Sequence, residues 1–206
     1  MNRPATTLFM PVSVDGKIRA GTTDEMDVDS NFPQIAGLKE GLNQYYEIEQ
    51  TTDLWSFSPG RVQAKMGANT KEMPAKTPSF LRSVGYQLLN EHGVRYFCFR
   101  SGQFVLITTN RVHPAFGLSE ENLHIILQVT LSLSDALTML KQKFACDKLT
   151  VQSGGTVNSL FQREKLFDFV DVVITPALIG GKGTATLING RSLRAKDKLN
   201  QLGCCA

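Results

Sequence analysis

Two places in the chain put chemistry-bearing residues at the ends of apolar runs. The first is Leu149-Thr150-Val151-Gln152-Ser153-Gly154-Gly155-Thr156-Val157-Asn158-Ser159-Leu160. A β-branched run ends in paired glycines, and helical spacing follows. A strand that turns into a helix leaves backbone N–H groups free at the helix start, where the helix dipole adds partial positive charge. That combination suits a phosphate, and glycine lets the backbone approach it without a Cβ in between. A Gly-Gly turn between strand and helix can equally be a plain connection. On the phosphate reading, Gly155→Val is expected to weaken anion binding without unfolding the chain. The second place is Ser13-Val14-Asp15-Gly16-Lys17-Ile18. Asp15-Gly16 is a turn signal set between apolar residues, so it places one carboxylate and one ammonium at the mouth of a buried strand. Strand ends of this kind are where open α/β sheets bind ligands. In extended backbone, Asp15 and Lys17 share a face; the Asp-Gly turn can break that relation. The plain alternative is two solvated turn residues.

These residues need elements to hold them. Strands are expected over 6–12, 53–58, 94–99, 104–109, 123–130, 148–152 and 169–176, from apolar and β-branched runs. Helical periodicity covers 34–49, 80–90, 134–144 with an N-cap at Ser134-Asp135, and roughly 156–165. Ser101-Gly102 would join 94–99 and 104–109 as a hairpin, whereas a parallel pair would need a longer connection. The polar 20–32 stretch reads as a surface loop, 62–78 as loop or irregular helix, and Gly180-Gly181-Lys182-Gly183 as a flexible segment over one sheet edge. The remainder, 184–206, shows no clear period. Strands alternating with helices predict an α/β fold, a mixed and mainly parallel sheet with helices on both faces. The strands at 6–12, 148–152 and 169–176 are expected near its centre.

Composition bounds the function. The 206 residues suffice for one α/β domain over 1–206. A net charge of +3, with Lys and Arg scattered, does not point to nucleic acid. No apolar run has the length of a membrane span or a signal sequence. Cys98, Cys146, Cys204 and Cys205 form no C-x-x-C pair, which implies a reduced, cytoplasmic chain with no metal site. Asp27 and Asp29 lack the calcium-loop pattern. His92, His113 and His124 sit in separate segments and read as surface or hydrogen-bonded histidines, Trp55 as core. Ser153 has no nucleophile-elbow context.

Three segments together resemble the riboflavin-biosynthesis reductases, the reductase part of the bifunctional deaminase–reductase, of dihydrofolate-reductase-like fold. They are Pro11-Val12-Ser13-Val14-Asp15-Gly16-Lys17-Ile18, Gln152 to Leu160, and Leu166-Phe167-Asp168-Phe169 through Pro176-Ala177-Leu178-Ile179-Gly180-Gly181. Their order and separation fit the family as well. The zinc deaminase half would need His-x-Glu and Cys-x-x-Cys, which are absent. The resemblance implies NADPH-dependent reduction of a pyrimidine ribosylamine phosphate. It assigns Gly154, Gly155, Thr156, Val157, Asn158, Ser159 and Leu160 to NADPH, with Pro11 and Val12 on the nicotinamide side. It places Asp15 and Lys17 at the substrate as the catalytic pair and implies a homodimer. Gln152 stands where the family usually carries a substrate-contacting Glu; Gln adds a donor and loses the charge. The family's loop after the second strand is not recognisable at 58–65, where Arg61 and Lys65 are the cations available for substrate phosphate. Its last strand is expected to be missing.

Two classes of function therefore stand. One is an NADPH-dependent reductase of a nucleotide-like or pterin-like small molecule, favoured by the intact 13–18 motif. The other is a binding protein that keeps the dinucleotide cleft without turnover, favoured by Gln152 and the altered loop.

Overall fold

The computed structural model describes residues 1–21, 44–58 apart from 46 and 54, 94–100, 103–127 apart from 118, 120 and 122, and 128–194 apart from 193. The helix expected over 80–90, the 62–78 stretch, Arg61, Lys65, His92, Cys204, Cys205 and most of the helix expected over 34–49 lie outside the described residues.

The strands are β1 (Ala5–Ser13), β2 (Ser56–Ser58), β3 (Val94–Arg100), β4 (Gln103–Thr108), β5 (Leu123–Leu127), β6 (Lys148–Val151) and β7 (Phe169–Thr175), with helices α1 (Leu133–Phe144) and α2 (Gly155–Arg163). Together the strands form one sheet in the order β5-β4-β3-β2-β6-β1-β7. β3 is antiparallel to both neighbours and all other pairings are parallel. The mixed, mainly parallel sheet is therefore as the sequence reading expects. The antiparallel β3–β4 pairing settles the hairpin in favour of the short connection at Ser101-Gly102.

α1 and α2 cover one face. Trp55, Phe57, Val105, Ile107, Ile126, Leu149 and Val151 meet Leu133, Ala136, Leu137 and Leu140 of α1 and Phe161 of α2 in a single core. The apolar residues of α1 recur at helical spacing, which is why that stripe turns inward. On the other face, Tyr45, in helical conformation with residues 44 and 47–49, stacks on Phe9, ring centroids 5.0 Å apart and 7° from parallel. Helices on both faces are thus present. The cap of α1 is Ser132, whose hydroxyl accepts from the Asp135 N–H at 3.2 Å. The expected cap at Ser134-Asp135 is displaced because Ser134 already lies inside the helix, its carbonyl accepting from Thr138.

One expectation fails. β1 and β6 are interior, but β7 is the edge strand, paired with β1 alone. Its apolar run satisfies the sequence signature of a doubly buried strand, yet Phe169 and Ile174 are more than half exposed. An apolar, β-branched run reports β-propensity and says nothing about which side of the sheet has a neighbour. The strands expected over 53–58 and 123–130 are also shorter, at Ser56–Ser58 and Leu123–Leu127. Pro11 is tolerated inside β1 because pairing with β6 stops at Leu8↔Val151, so beyond it β7 is the only ladder partner.

The start of β1 is tied to β7 through Asp168. Arg3 holds that carboxylate bidentately, at 2.6 and 3.0 Å, and the Thr6 N–H donates to it at 2.8 Å. Burial pushes the Asp168 carboxyl up, but the Arg3 and Thr6 hydrogen bonds and the Arg3 charge outweigh it and hold it below its ordinary value of 3.8. Arg3→Ala is expected to cost about 2 kcal/mol of stability at neutral pH. A depressed carboxyl contributes stability that is present above its ordinary pKa and is lost as pH falls through the lower folded value. The gap between parent and variant should therefore close in acid, below pH 3.8. Urea unfolding at neutral and acid pH checks this; a gap independent of pH contradicts it.

Candidate active site at the carboxyl ends of β1 and β6

The 13–18 motif, the start of the 152–160 motif and the Pro176–Gly181 end of the third motif lie beyond the carboxyl ends of β1, β6 and β7, while the Leu166–Phe169 part of the third sits at the amino end of β1. β1 runs out at Ser13 into a tight turn, with the Gly16 N–H donating to the Ser13 carbonyl at 2.9 Å. Gly16 has φ +75°, the left-handed conformation that glycine adopts without strain. The turn breaks the extended relation between Asp15 and Lys17, yet both side chains reach the segment that follows β7. Asp15 accepts from the Ile179 N–H at 3.1 Å and the Gly180 N–H at 2.7 Å, and from the Ser13 hydroxyl at 2.6 Å. Those donors, the Ser13 hydroxyl first and then Gly180 and Ile179, hold its carboxyl down at about 2. Lys17 donates to the Gly181 carbonyl at 2.9 Å and the Thr184 carbonyl at 3.2 Å. The Gly180–Gly183 stretch, expected to be flexible, is instead pinned by these bonds, with Gly180 and Gly181 both at positive φ.

α2 begins at the end of β6. Gly154 is its N-cap and has no side-chain capping bond; its carbonyl accepts from the Val157 and Asn158 N–H groups. The Gly155 and Thr156 N–H groups belong to the first turn, where a helix offers no internal acceptor. A Cβ on Gly154 would meet nothing within 4 Å, so this side of the turn is open to an approaching anion. Gly155 differs. A Cβ there would lie 2.2 Å from the Thr186 carbonyl and 2.9 Å from Asn189, so its missing side chain makes room for the chain's own 186–189 backbone. The expectation that Gly155→Val affects ligand binding alone is corrected on that ground. Asn158 is fully buried, donating to the Ser153 carbonyl at 3.1 Å and the Leu187 carbonyl at 2.8 Å. Ser159 is buried against Gly190. Val157 packs against the core. Of the expected cofactor residues, Thr156 and Leu160 are exposed and Gly154 is half-buried; Pro11 and Val12 are buried in β1.

Gln152 directly follows β6. Its carbonyl accepts from the Ser56 hydroxyl at 3.1 Å, and its amide donates to the Tyr45 hydroxyl at 3.2 Å and to the Glu49 carboxylate. Both amide hydrogens are thereby used. The sequence reading missed Tyr45, Glu49 and Ser56; Tyr45 and Glu49 stand at i and i+4, a helical pair that shares one face. The same contact explains why glutamine suits this position, since a carboxylate at 152 would face Glu49 directly. Gln152→Glu is expected to destabilise the chain by about 1–2 kcal/mol at neutral pH. One of the two carboxyls is then raised, so the deficit grows with pH and shrinks in acid, which the pH dependence of Tm reports. A variant as stable as the parent at pH 8 contradicts this.

Trp55 is buried, as expected of core. His113 is buried with Nδ1 accepting from the Ala115 N–H, a hydrogen-bonded histidine. No described helix is long and apolar enough to cross a membrane.

Comparison with known proteins puts this geometry in context. The family model described as the RibD C-terminal domain matches residues 60–206. Among solved structures, RibD of Acinetobacter baumannii in form 2 superposes with a TM-score of 0.58 at 13% identity, covering 97% of this chain and 53% of that one. Form 1 gives 0.57 at 12% identity, over 97% and 53%. The Saccharomyces cerevisiae riboflavin biosynthesis reductase Rib7 gives 0.50 at 13% identity, over 96% and 84%. The chain spans about half the length of the RibD chains it matches. At these identities the likeness shows a shared fold.

Proposed function

This chain belongs to the RibD C-terminal domain family, and from that membership we propose that it is an NADPH-dependent reductase of a pyrimidine ribosylamine phosphate, in riboflavin biosynthesis. The observation that carries the reading is the convergence of the 13–18 turn, the start of α2 and the 177–190 segment at the carboxyl ends of β1 and β6, where parallel sheets bind their ligands. NADPH fits the open side of the Gly154 turn. The first-turn N–H groups at Gly155 and Thr156 would hold its pyrophosphate, with no Cβ at Gly154 to block the approach. When bound, NADPH supplies the hydride.

What remains for the chain is placement and charge. Lys17 spends two of its three donors on Gly181 and Thr184, and its remaining direction serves an anionic or hydroxylated part of the substrate. Asp15 orients this arrangement through its loop contacts. Gln152, with both amide hydrogens committed to Tyr45 and Glu49, lines the site as a fixed wall. Arg61 keeps its proposed role at the substrate phosphate. The protein acts on a small molecule, as a homodimer.

The second reading, a binding protein without turnover, is favoured by the commitment of the Asp15 and Gln152 polar groups to internal hydrogen bonds. A thermal shift with NADPH against NADH tests the cofactor. A clear rise with NADPH and a smaller one with NADH supports the proposal; no shift with either overturns it. Lys17→Ala is expected to lower kcat/KM by on the order of tenfold or more, the size of one lost charge-assisted contact. Unchanged KM and kcat would remove Lys17 from the site.

A further inference from the structure

The segment 177–190 is stitched to both halves of the site. On the β1 side, the Val14 N–H donates to the Ala177 carbonyl, the Ile18 N–H to the Ala185 carbonyl, and the Leu187 N–H to the Gly16 carbonyl, at 2.9 to 3.1 Å. Lys17 and Thr186 form an antiparallel bridge. On the α2 side, the Asn189 N–H donates to the Gly155 carbonyl at 2.8 Å, Asn158 donates to the Leu187 carbonyl, and the Thr186 carbonyl sits where a Gly155 Cβ would be. Within this segment Thr186 and Asn189 brace each other through their side chains at 2.7 Å. One carboxylate holds the near end of the segment. Asp15 binds two successive N–H groups, Ile179 and Gly180, where the left-handed pair Gly180 and Gly181 begins. The Ser13 hydroxyl donates to Asp15 and accepts from the Lys17 N–H at 2.8 Å, which fixes the carboxylate within the turn.

We propose that Asp15 is a positioning residue for the cofactor side of the site: by clasping Ile179 and Gly180 it holds the 177–190 segment so that Thr186 and Asn189 brace the start of α2. The reacting group of the substrate is then not its target. All three hydrogen bonds that Asp15 makes lead into the protein. The carboxylate stays ionised through the physiological range, so the clasp is constitutive, opening only as pH falls towards 2. The link from Asp15 to the cofactor is mechanical, running along a single backbone segment with hydrogen bonds at both ends. The cofactor arm of the test rests on the reductase reading; the exchange arm does not.

Amide hydrogen exchange of the ligand-free chain is compared for the parent, Asp15→Ala and Asp15→Glu. Asp15→Ala should speed exchange about tenfold or more at Ile179 and Gly180, and also at Leu187 and Asn189, which Asp15 does not touch. Amides of β4 should be unaffected. In the same variant, Kd and KM for NADPH should rise about tenfold, with KM for the pyrimidine substrate, which Lys17 holds from the same segment, rising less. Asp15→Glu, which keeps a carboxylate on a longer stem, should recover part of both effects. Faster exchange confined to Ile179 and Gly180, or a KM effect on the substrate alone, overturns the proposal. If the parent binds no NADPH, the reductase reading fails and the exchange at Leu187 and Asn189 still decides the clasp. If Asp15→Ala does not fold, Ser13→Ala gives the same comparison at smaller amplitude, because it leaves the carboxylate and removes the hydroxyl that orients it.

Discussion

Gly155→Val is expected to destabilise the chain by about 3 kcal/mol or more, lowering Tm by on the order of 10 °C. The cause is local. The added Cβ alone would stand 2.2 Å from the Thr186 carbonyl and 2.9 Å from the Asn189 nitrogen, both backbone atoms with no rotamer to escape into. Either the 186–189 segment lifts or the first turn of α2 tilts. Both movements break the Asn189 to Gly155 hydrogen bond and the Asn158 to Leu187 bond, each worth about 1 kcal/mol. Gly154→Ala is the control. Its position is open, its φ of −74° suits any residue, and the change is expected to cost no more than about 1 kcal/mol. If the proposed cofactor site is correct, Gly154→Ala weakens NADPH binding while leaving Tm near that of the parent. Equal Tm values for Gly155→Val and the parent would mean that the 186–189 segment does not lie where it is described.

Phe161→Ala is expected to cost about 3–5 kcal/mol. Phe161 is fully buried in the main core. Its ring meets Phe57 edge-on, centroids 5.2 Å apart at 74°, and stacks on Phe167 at 5.1 Å. Phe57 belongs to β2, so this one side chain ties α2 to the middle of the sheet. Truncation leaves a cavity between helix and sheet that rigid neighbours cannot fill. Urea unfolding should show a lower midpoint with an unchanged m-value. Because the ring anchors the helix whose first turn is the proposed pyrophosphate site, NADPH affinity should fall as well, in a chain that remains folded at low temperature. A loss of less than about 1 kcal/mol would show that the site collapses around the missing ring or that α2 is held elsewhere.

Much of this architecture is legible in the sequence. The apolar and β-branched runs of β1, β4, β6 and β7 mark strands because burial and sheet packing both select those residues. The helical stripe at Leu133, Ala136, Leu137 and Leu140 marks α1. Lateral order is not legible in the same way. β7 has the composition of an interior strand and stands at the edge, since residue type records the faces of a strand and not its neighbours in the sheet. The motif segments at 13–18 and 152–160 lie at the strand ends where the pattern puts them. Which of their side chains point outward is another matter. Asn158 and Ser159 look like ligand-binding polar residues in the one-dimensional sequence and are buried against a segment some thirty positions later. Asp15 reads as a free carboxylate until the Ile179 and Gly180 N–H groups are placed beside it. Gln152 reads as a lost charge, and its partner Glu49 comes from a helix about a hundred residues earlier. Contacts across that distance leave no periodic trace, which is why the sequence pattern marks the strand ends and is silent on the hydrogen bonds behind them.

The most direct test is turnover. Purified chain is mixed with NADPH and a pyrimidine ribosylamine phosphate, and cofactor oxidation is followed together with formation of the ribitylamine product. One NADPH is expected to be consumed per product formed, with little activity when NADH replaces NADPH. NADPH binding with no oxidation, across this substrate and a panel of pterins, would contradict the reductase reading and leave the chain as a binding protein of the same fold.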